Sequence, residues 1–284
     1  MKIGIGLPNQ VRDVRPRVIP EWAAAAEEAG FSTLGTVGRV AYPGVMDTVA
    51  LAAAAGVTSR IGLLSSVLIA PVWPATLLAK EAAGIDGISG GRLTLGVGVG
   101  GRPDDFVADG HGTKDRGKRL DSDLEVYRQV WQGKPVGGGD NPAVTPGARE
   151  IPLLFGAGAP AAVERMARWG QGYIGASFPP DMVAGAFDSA RDAWRKAGRE
   201  GSPRLVAIAY FAFGDAEAGR AKIYDYYSVF GDEIASVVAN GVRASVQAVE
   251  EAVKAYEGLG ADELILNPSI DDIDEVSRLA EIVL

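Results

Sequence analysis

Short apolar runs that end in glycine or proline alternate with helical segments along the whole chain, and no other feature limits its possible folds so strongly. Lys2–Leu7 reads as a buried strand stopped by Pro8. An Ala-rich helix over Pro20–Ala29 is closed by Gly30, and Phe31–Val37 reads as the second strand. Asp47 is expected to cap a helix over Asp47–Ala55. Strands at Arg60–Val67 and Arg92–Val99 bracket a helix at Ala75–Ile85. A longer helix, Arg116–Gln132, carries Leu120, Leu124, Tyr127 and Trp131 at helical spacing. The second half repeats the pattern, with strands at Ile151–Phe155, Gly172–Ser177, Arg204–Phe213 and Asp262–Leu266. Its helices are expected at Pro160–Trp169, Asp181–Gly198, Ser245–Leu259 and Ile270–Leu284.

Strands that are apolar on both faces and separated by helices belong in a parallel sheet. No composition break marks a linker, so residues 1–284 are read as a single α/β domain. Eight strand–helix units at this length predict a (β/α)8 TIM barrel, with a doubly wound sheet as the alternative. In a barrel the functional residues follow the strands on the C-terminal rim. Here those positions are rich in glycine and small polar residues and poor in ionisable ones. Such a rim suits a large planar cofactor better than hydrolysis by paired carboxylates.

Composition removes several chemistries. Cysteine is absent and His111 is the single histidine, which excludes thiolate nucleophiles, Fe–S clusters and multi-His metal sites; no metal is expected. A formal net charge of −8 argues against nucleic acid as a partner. No run of apolar residues is long enough for a membrane span, and Pro8 interrupts the N-terminal one. A cytoplasmic location is expected.

Motif matches divide on context. Gly96-Val97-Gly98-Val99-Gly100-Gly101 satisfies the dinucleotide pattern, but an irregular stretch is expected after Arg102 where that pattern needs a helix. Gly87-Ile88-Ser89-Gly90-Gly91 has a helix before it and a strand after it, the reverse of a nucleophile elbow. Gly112–Lys118 approaches a P-loop, but Arg119 stands where Ser or Thr would hold magnesium. Lys114, Arg116, Lys118 and Arg119 form the densest basic cluster, either a solvated helix start or a contact for an anionic tail. Phe155-Gly156-Ala157-Gly158-Ala159-Pro160-Ala161 reads as a strand end, a glycine-rich turn and a helix start. Free N–H groups and the positive end of the helix dipole suit an anion there, a plain βα turn being the alternative.

Thr58-Ser59-Arg60-Ile61-Gly62-Leu63, Ser65-Ser66-Val67, Pro74 and Leu78-Ala79-Lys80 form a specific run. Ile85-Asp86-Gly87-Ile88-Ser89-Gly90-Gly91-Arg92-Leu93 and Leu95-Gly96-Val97-Gly98-Val99-Gly100 complete it. Together with Arg116-Gly117, Arg119, Asp121, Trp131, Ile151–Tyr173 and Gly260–Pro268, the sequence resembles the bacterial luciferase-like monooxygenase superfamily. Members use FMN or coenzyme F420, and this sequence does not distinguish the two. The resemblance implies a luciferase-like barrel with the cofactor ring in its mouth. It also implies a non-prolyl cis peptide after strand three, at Ser65–Ser66 or Ser66–Val67. The cofactor-binding residues implied are Leu7, Pro8, Ser65, Ser66, Val67, Gly96, Val97, Gly98, Gly156, Ala157, Gly158, Ala159 and Ser177.

The function that the resemblance implies is that of an oxidoreductase or monooxygenase acting on a small organic substrate. A separate flavin or F420 reductase and a homodimeric assembly are the expected partners. The alternative is a non-catalytic flavin-binding barrel or a dimerising subunit, because the acid–His pair usual after strand two is replaced by Val37-Gly38-Arg39. The usual His before Pro74 is Trp73, and the segment from Gly133 to Ile151 is short. Arg39 is therefore the expected catalytic group, nearest the ring and stabilising negative charge, with a rim salt bridge as the competing role. His111 is expected in a solvated loop. Ile223–Val238, with Tyr224, Tyr226, Tyr227 and Phe230, is either a substrate-side lid or an amphipathic helix packed on the barrel.

Overall fold

The computed structural model describes residues 1–108, 110, 112–156 and 159–284. Its strands are β1 (Lys2–Gly6), β2 (Thr33–Thr36), β3 (Gly62–Ser65), β4 (Leu68–Ile69), β5 (Leu93–Gly98), β6 (Leu153–Gly156), β7 (Gly172–Ile174), β8 (Arg204–Phe211) and β9 (Glu263–Pro268). They pair in the order β3-β2-β1-β9-β8-β7-β6-β5-β4, and a β3–β5 pairing closes the sheet. Every ladder is parallel. β3 and β4 are two pieces of one barrel strand. Leu63 lies against Leu93 at the start of β5, and Leu68 against Val97 near its end. The result is the expected closed eight-strand parallel TIM barrel. Between the two pieces the Ser66–Val67 peptide is cis, the second of the two expected positions.

The helices are α1 (Val18–Ala29), α2 (Asp47–Val57), α3 (Ala75–Ser89), α4 (Pro103–Ala108), α5 (Arg116–Trp131) and α6 (Pro160–Trp169). After them come α7 (Pro180–Lys196), α8 (Ala216–Tyr227), α9 (Asp232–Asn240), α10 (Val246–Gly258) and α11 (Asp274–Val283). Local chemistry sets their ends. Gly30, at φ 99°, closes α1 and donates its N–H to the Ala26 carbonyl. Ser245 caps α10 by accepting from the Ala248 N–H, and Asp215 caps α8 through Ala218.

Apolar side chains form two layers. The larger cluster fills the space between barrel and helices, with Trp22, Tyr127, Phe187 and Tyr256 among its members. A smaller one, Leu64, Leu154, Ile174, Val206, Ile208 and Ile265, fills the barrel itself. Interior packing needs small residues opposite large ones. A Cβ on Gly4 would lie only 2.4 Å from Ile265 Cδ1, and one on Gly35 2.7 Å from Ile265 Cγ2. On the closed end, Glu27 accepts backbone N–H bonds from Ser59, Arg60 and Ile61. Burial pushes its carboxyl upward, but those N–H groups outweigh it and hold the pKa at about 2.

Three local expectations are corrected. Asp47 does not cap α2: Met46 holds that position, and the Asp47 side chain is buried instead. A short helix, α4, does open after Arg102, where an irregular stretch was expected. Its first turn carries Asp104 and Asp105, which would repel a pyrophosphate, so the dinucleotide pattern still lacks its anion site. The last helix begins at Asp274 rather than Ile270, because the Asp272 carboxylate accepts from the Asp274 N–H and starts it there. No helix is long and apolar enough to cross a membrane among the described residues.

Candidate functional site

A cavity of about 1620 Å³ opens at the C-terminal mouth of the barrel and extends between α6 and α7. Part of its wall is almost bare backbone. A Cβ on Gly98 or on Gly156 would come within 2.9 Å of the Val67 side chain, so only glycine leaves that valine its place. Val67, Gly98 and Gly156 all line the cavity. Below them, in the barrel interior, Asn267 is fully buried and neither of its amide atoms has a partner among the described residues.

The roof comes from the segment after β8. Tyr226 and Tyr227 end α8, Phe230 lies in the 3-10 turn that follows, and Ile234 and Val238 belong to α9. Gly231, at φ 94°, makes the bend into α9. Tyr226 packs edge-on against Tyr42 and Tyr227, with centroids 5.0 and 5.2 Å away. Burial raises the Tyr226 and Tyr210 hydroxyls well above the usual phenol range, so both stay neutral. The Tyr227 hydroxyl lies 3.2 Å from that of Tyr210 and donates to Ser177 Oγ at 3.3 Å.

Charge is sparse in the mouth and unevenly placed. Arg39 is turned away from the cavity: its side chain is 5% exposed, pairs with Asp104 and lies 3.8 Å from Asp105. It stacks over Tyr42 and Tyr226 and donates to the Tyr226 carbonyl. Arg102 is the arginine on the cavity wall there, against Tyr226, Tyr227 and Phe230. Gly38 lines the cavity, and directly behind it lies Asp47, whose Oδ2 would be 1.9 Å from a Cβ on Gly38. Burial pushes the Asp47 carboxyl up to about 6, against an opposing pull from the Thr36 hydroxyl.

The family model described as luciferase-like monooxygenase matches residues 1–267. The chain belongs to this family. An uncharacterised protein of Mycobacterium tuberculosis is 33% identical over 190 residues, covering 57% of this chain and 66% of that protein. A second from the same organism is 34% identical over 173 residues, covering 56% and 60%. The chain thus spans less than two-thirds of the length of either relative. Among solved structures, the monooxygenase RslO1 from Streptomyces bottropensis superposes with a TM-score of 0.75 at 24% identity, over 99% of this chain and 97% of that one. An F420-dependent secondary alcohol dehydrogenase in complex with an F420-acetone adduct gives 0.80 at 16%, over 99% and 98%. The oxygenating constituent of 3,6-diketocamphane monooxygenase from Pseudomonas putida, in complex with FMN, gives 0.75 at 16%, over 99% and 95%. These likenesses establish the luciferase-like fold.

Within this luciferase-like mouth, Ser66, Val67, Gly98, Gly156 and Ser177 line the cavity, as the sequence implied they would come together. Leu7, Pro8, Ser65, Gly96 and Val97 are buried behind the wall; Ser65 Oγ donates to the Gly96 carbonyl and ties β3 to β5. Ala159 is exposed at the N-cap of α6, with Pro160 in the first turn. Ala157, Gly158 and His111 lie outside the described residues. Arg39 is not among the lining residues; its contacts are those of the competing role, a salt bridge. The basic cluster does not reach the cavity either: Lys118 pairs with Asp115, and Arg119 donates to the Pro71 carbonyl. Lys196 and Arg199 instead border the extension between α6 and α7. Sequence reading missed Arg102 and Asp47 as site residues. Arg102 follows the Gly96–Gly101 run directly, the one signal that could have marked it.

Proposed function

We propose that this chain is an oxidoreductase or monooxygenase that binds FMN or coenzyme F420 in the barrel mouth and transforms a small organic substrate. The observation that carries this reading is the Gly98–Val67–Gly156 wall under an aromatic roof, which suits a flat ring lying against backbone. The residues fit such a group. Ser66, Val67, Gly98 and Gly156 would hold the ring, and the start of α6 at Ala159 and Pro160 its phosphate. The unpartnered Asn267 amide marks unspent hydrogen-bonding capacity beneath the mouth.

When bound, the cofactor would supply the hydride or the electrons passed to oxygen. The chain's own residues bind and enclose. Tyr226, Tyr227 and Phe230 exclude water from above. Ser177, fixed by the Tyr227 hydroxyl, offers a small polar contact on the wall. Arg39 acts as a positioning residue, holding Asp104 and the Tyr226 carbonyl so that the roof keeps its place. A dimer in the cytoplasm, supplied with reduced cofactor by a separate reductase, completes the proposal. The fold's occurrence with both F420 and FMN among the solved structures supports either cofactor.

Titrating the purified chain with FMN and with F420, followed by absorption, tests this. The expected result is saturable binding of one of them, and on reduction its reoxidation coupled to substrate turnover. Binding of neither would overturn the proposal. Binding without coupled product would leave a cofactor-binding barrel and remove the enzyme.

A further inference from the structure

We propose that Arg102 is the substrate-recognition residue of this mouth, and that the substrate is an apolar or aromatic molecule carrying a carboxylate. This rests on the reading of the mouth as the active site and adds the class of molecule that it takes.

The argument starts from charge pairing. The chain has 36 acidic and 28 basic side chains, so carboxylate partners are abundant. Arg165 and Arg204 each take one, Asp121 and Glu263, and Arg39 lies against two, Asp104 and Asp105. Arg92 and Arg199 take none, but spend their guanidinium groups on several backbone carbonyls. Arg102 does neither. No carboxylate of the described residues lies within ion-pair distance of it, and it makes one long bond, 3.4 Å, to the Tyr226 carbonyl. That carbonyl is already shared with Arg39. Its Nε, like that of Arg39, is buried without a hydrogen-bond partner among the described residues.

The guanidinium is nevertheless held in place. Its carbon lies 4.5 Å from the Tyr226 ring centroid, 4.7 Å from that of Phe230 and 5.4 Å from that of Tyr227. Three rings fix its position by cation–π contact, and apart from the long bond to the Tyr226 carbonyl they leave its N–H groups without a partner among the described residues. A planar fork with free N–H groups beside an apolar cavity is matched by a carboxylate, which accepts two parallel bonds. A neutral isostere would leave one donor unsatisfied. The remaining lining of the mouth, Val67, Ile69, Val99 and Phe178 among others, suits an apolar body. The proposed phosphate contact is at the start of α6, after β6, whereas Arg102 follows β5, so the two are separate in the chain.

The experiment compares 2-naphthoate with 2-naphthamide, of nearly the same shape, by calorimetric titration of the wild-type chain, Arg102→Gln and Arg102→Lys. Wild type is expected to prefer the carboxylate by roughly tenfold or more. Added salt should shrink that preference, which Arg102→Lys keeps in part and Arg102→Gln loses. Equal affinity of wild type for the two probes, or an unchanged preference in a folded Arg102→Gln, would overturn the proposal. So would an equal loss for both probes, the mark of a residue that only braces the roof. FMN and F420 titrations of the same variants separate the sources of the anion. A selective loss of cofactor affinity with the probe preference intact assigns Arg102 to the cofactor and overturns the substrate assignment. Carboxylate preference in a chain that binds neither cofactor would retain the Arg102 site and refute the redox function alone.

Discussion

Asp47 stands at the first position of α2, where a carboxylate would ordinarily serve the helix dipole, yet its side chain is 3% exposed behind Gly38. One of its oxygens has no partner among the described residues. Burial moves its pKa from 3.8 to about 6, so between those values the native chain holds a proton that the unfolded chain has released. Stability contributed at this site is therefore highest below pH 3.8 and falls as pH rises to about 6. Asp47→Asn removes the titration. Urea unfolding midpoints across this window should show the variant gaining on the parent by up to about 3 kcal/mol, then running parallel above it. Identical pH slopes in the two proteins would place the Asp47 carboxyl in contact with solvent. The same glycine that makes room for Asp47 is legible in the sequence as a rim position, but the carboxyl behind it is not, since nothing local turns it inward.

At the scale of elements, the roof segment of α8, the 3-10 turn and α9 combines the two roles the sequence offered for Ile223–Val238. It packs on the barrel strand residue Tyr210 through Ile223 and Val238, and it covers the cavity through Tyr227 and Phe230. Tyr226 joins these functions, contacting Tyr42, Tyr227, Arg39 and Arg102. Tyr226→Ala should cost about 3–5 kcal/mol, because the cavity it leaves has several rings and no filler. Phe230, 38% exposed, should cost less when truncated, about 1–2 kcal/mol, since over a third of its surface stays in contact with water. Chemical denaturation of the two variants gives the energies directly. Similar losses in both would mean the roof is held by its length and not by Tyr226.

At the scale of the whole molecule, the barrel separates stability from function by its two ends. Glu263 starts β9 on the closed end, 1% exposed, accepting from the Ser32 hydroxyl and from Arg204. It pairs in register with Lys2 on one side and Val206 on the other, so it sits where β1, β8 and β9 begin. Glu263→Ala leaves those donors unanswered and should lower the unfolding free energy by about 1–3 kcal/mol. Ligand affinities at the mouth should stay at wild-type values, measured by the same titrations. A parallel loss of affinity would show that the two ends are coupled.

The number and order of the strands, the positions of most helices and the closed barrel were legible in the sequence, because apolar periodicity and glycine or proline stops are local signals. So were Ser66, Val67, Gly98, Gly156 and Ser177 as cavity residues, since strand ends of a parallel barrel share one rim. The division of the third strand into β3 and β4 was legible only as a pair of alternative peptide bonds. Whether an ionisable rim residue faces the mouth or a neighbouring carboxylate was not legible at all. Arg39 and Arg102 both follow strands, but α4 delivers Asp104 to Arg39 and the roof delivers three rings to Arg102. The partners come from elements distant along the chain, Tyr226 being bonded to both arginines. Sequence alone settles which residues reach the rim; pairing there is an electrostatic competition among side chains that only folding brings within a few ångströms of one another.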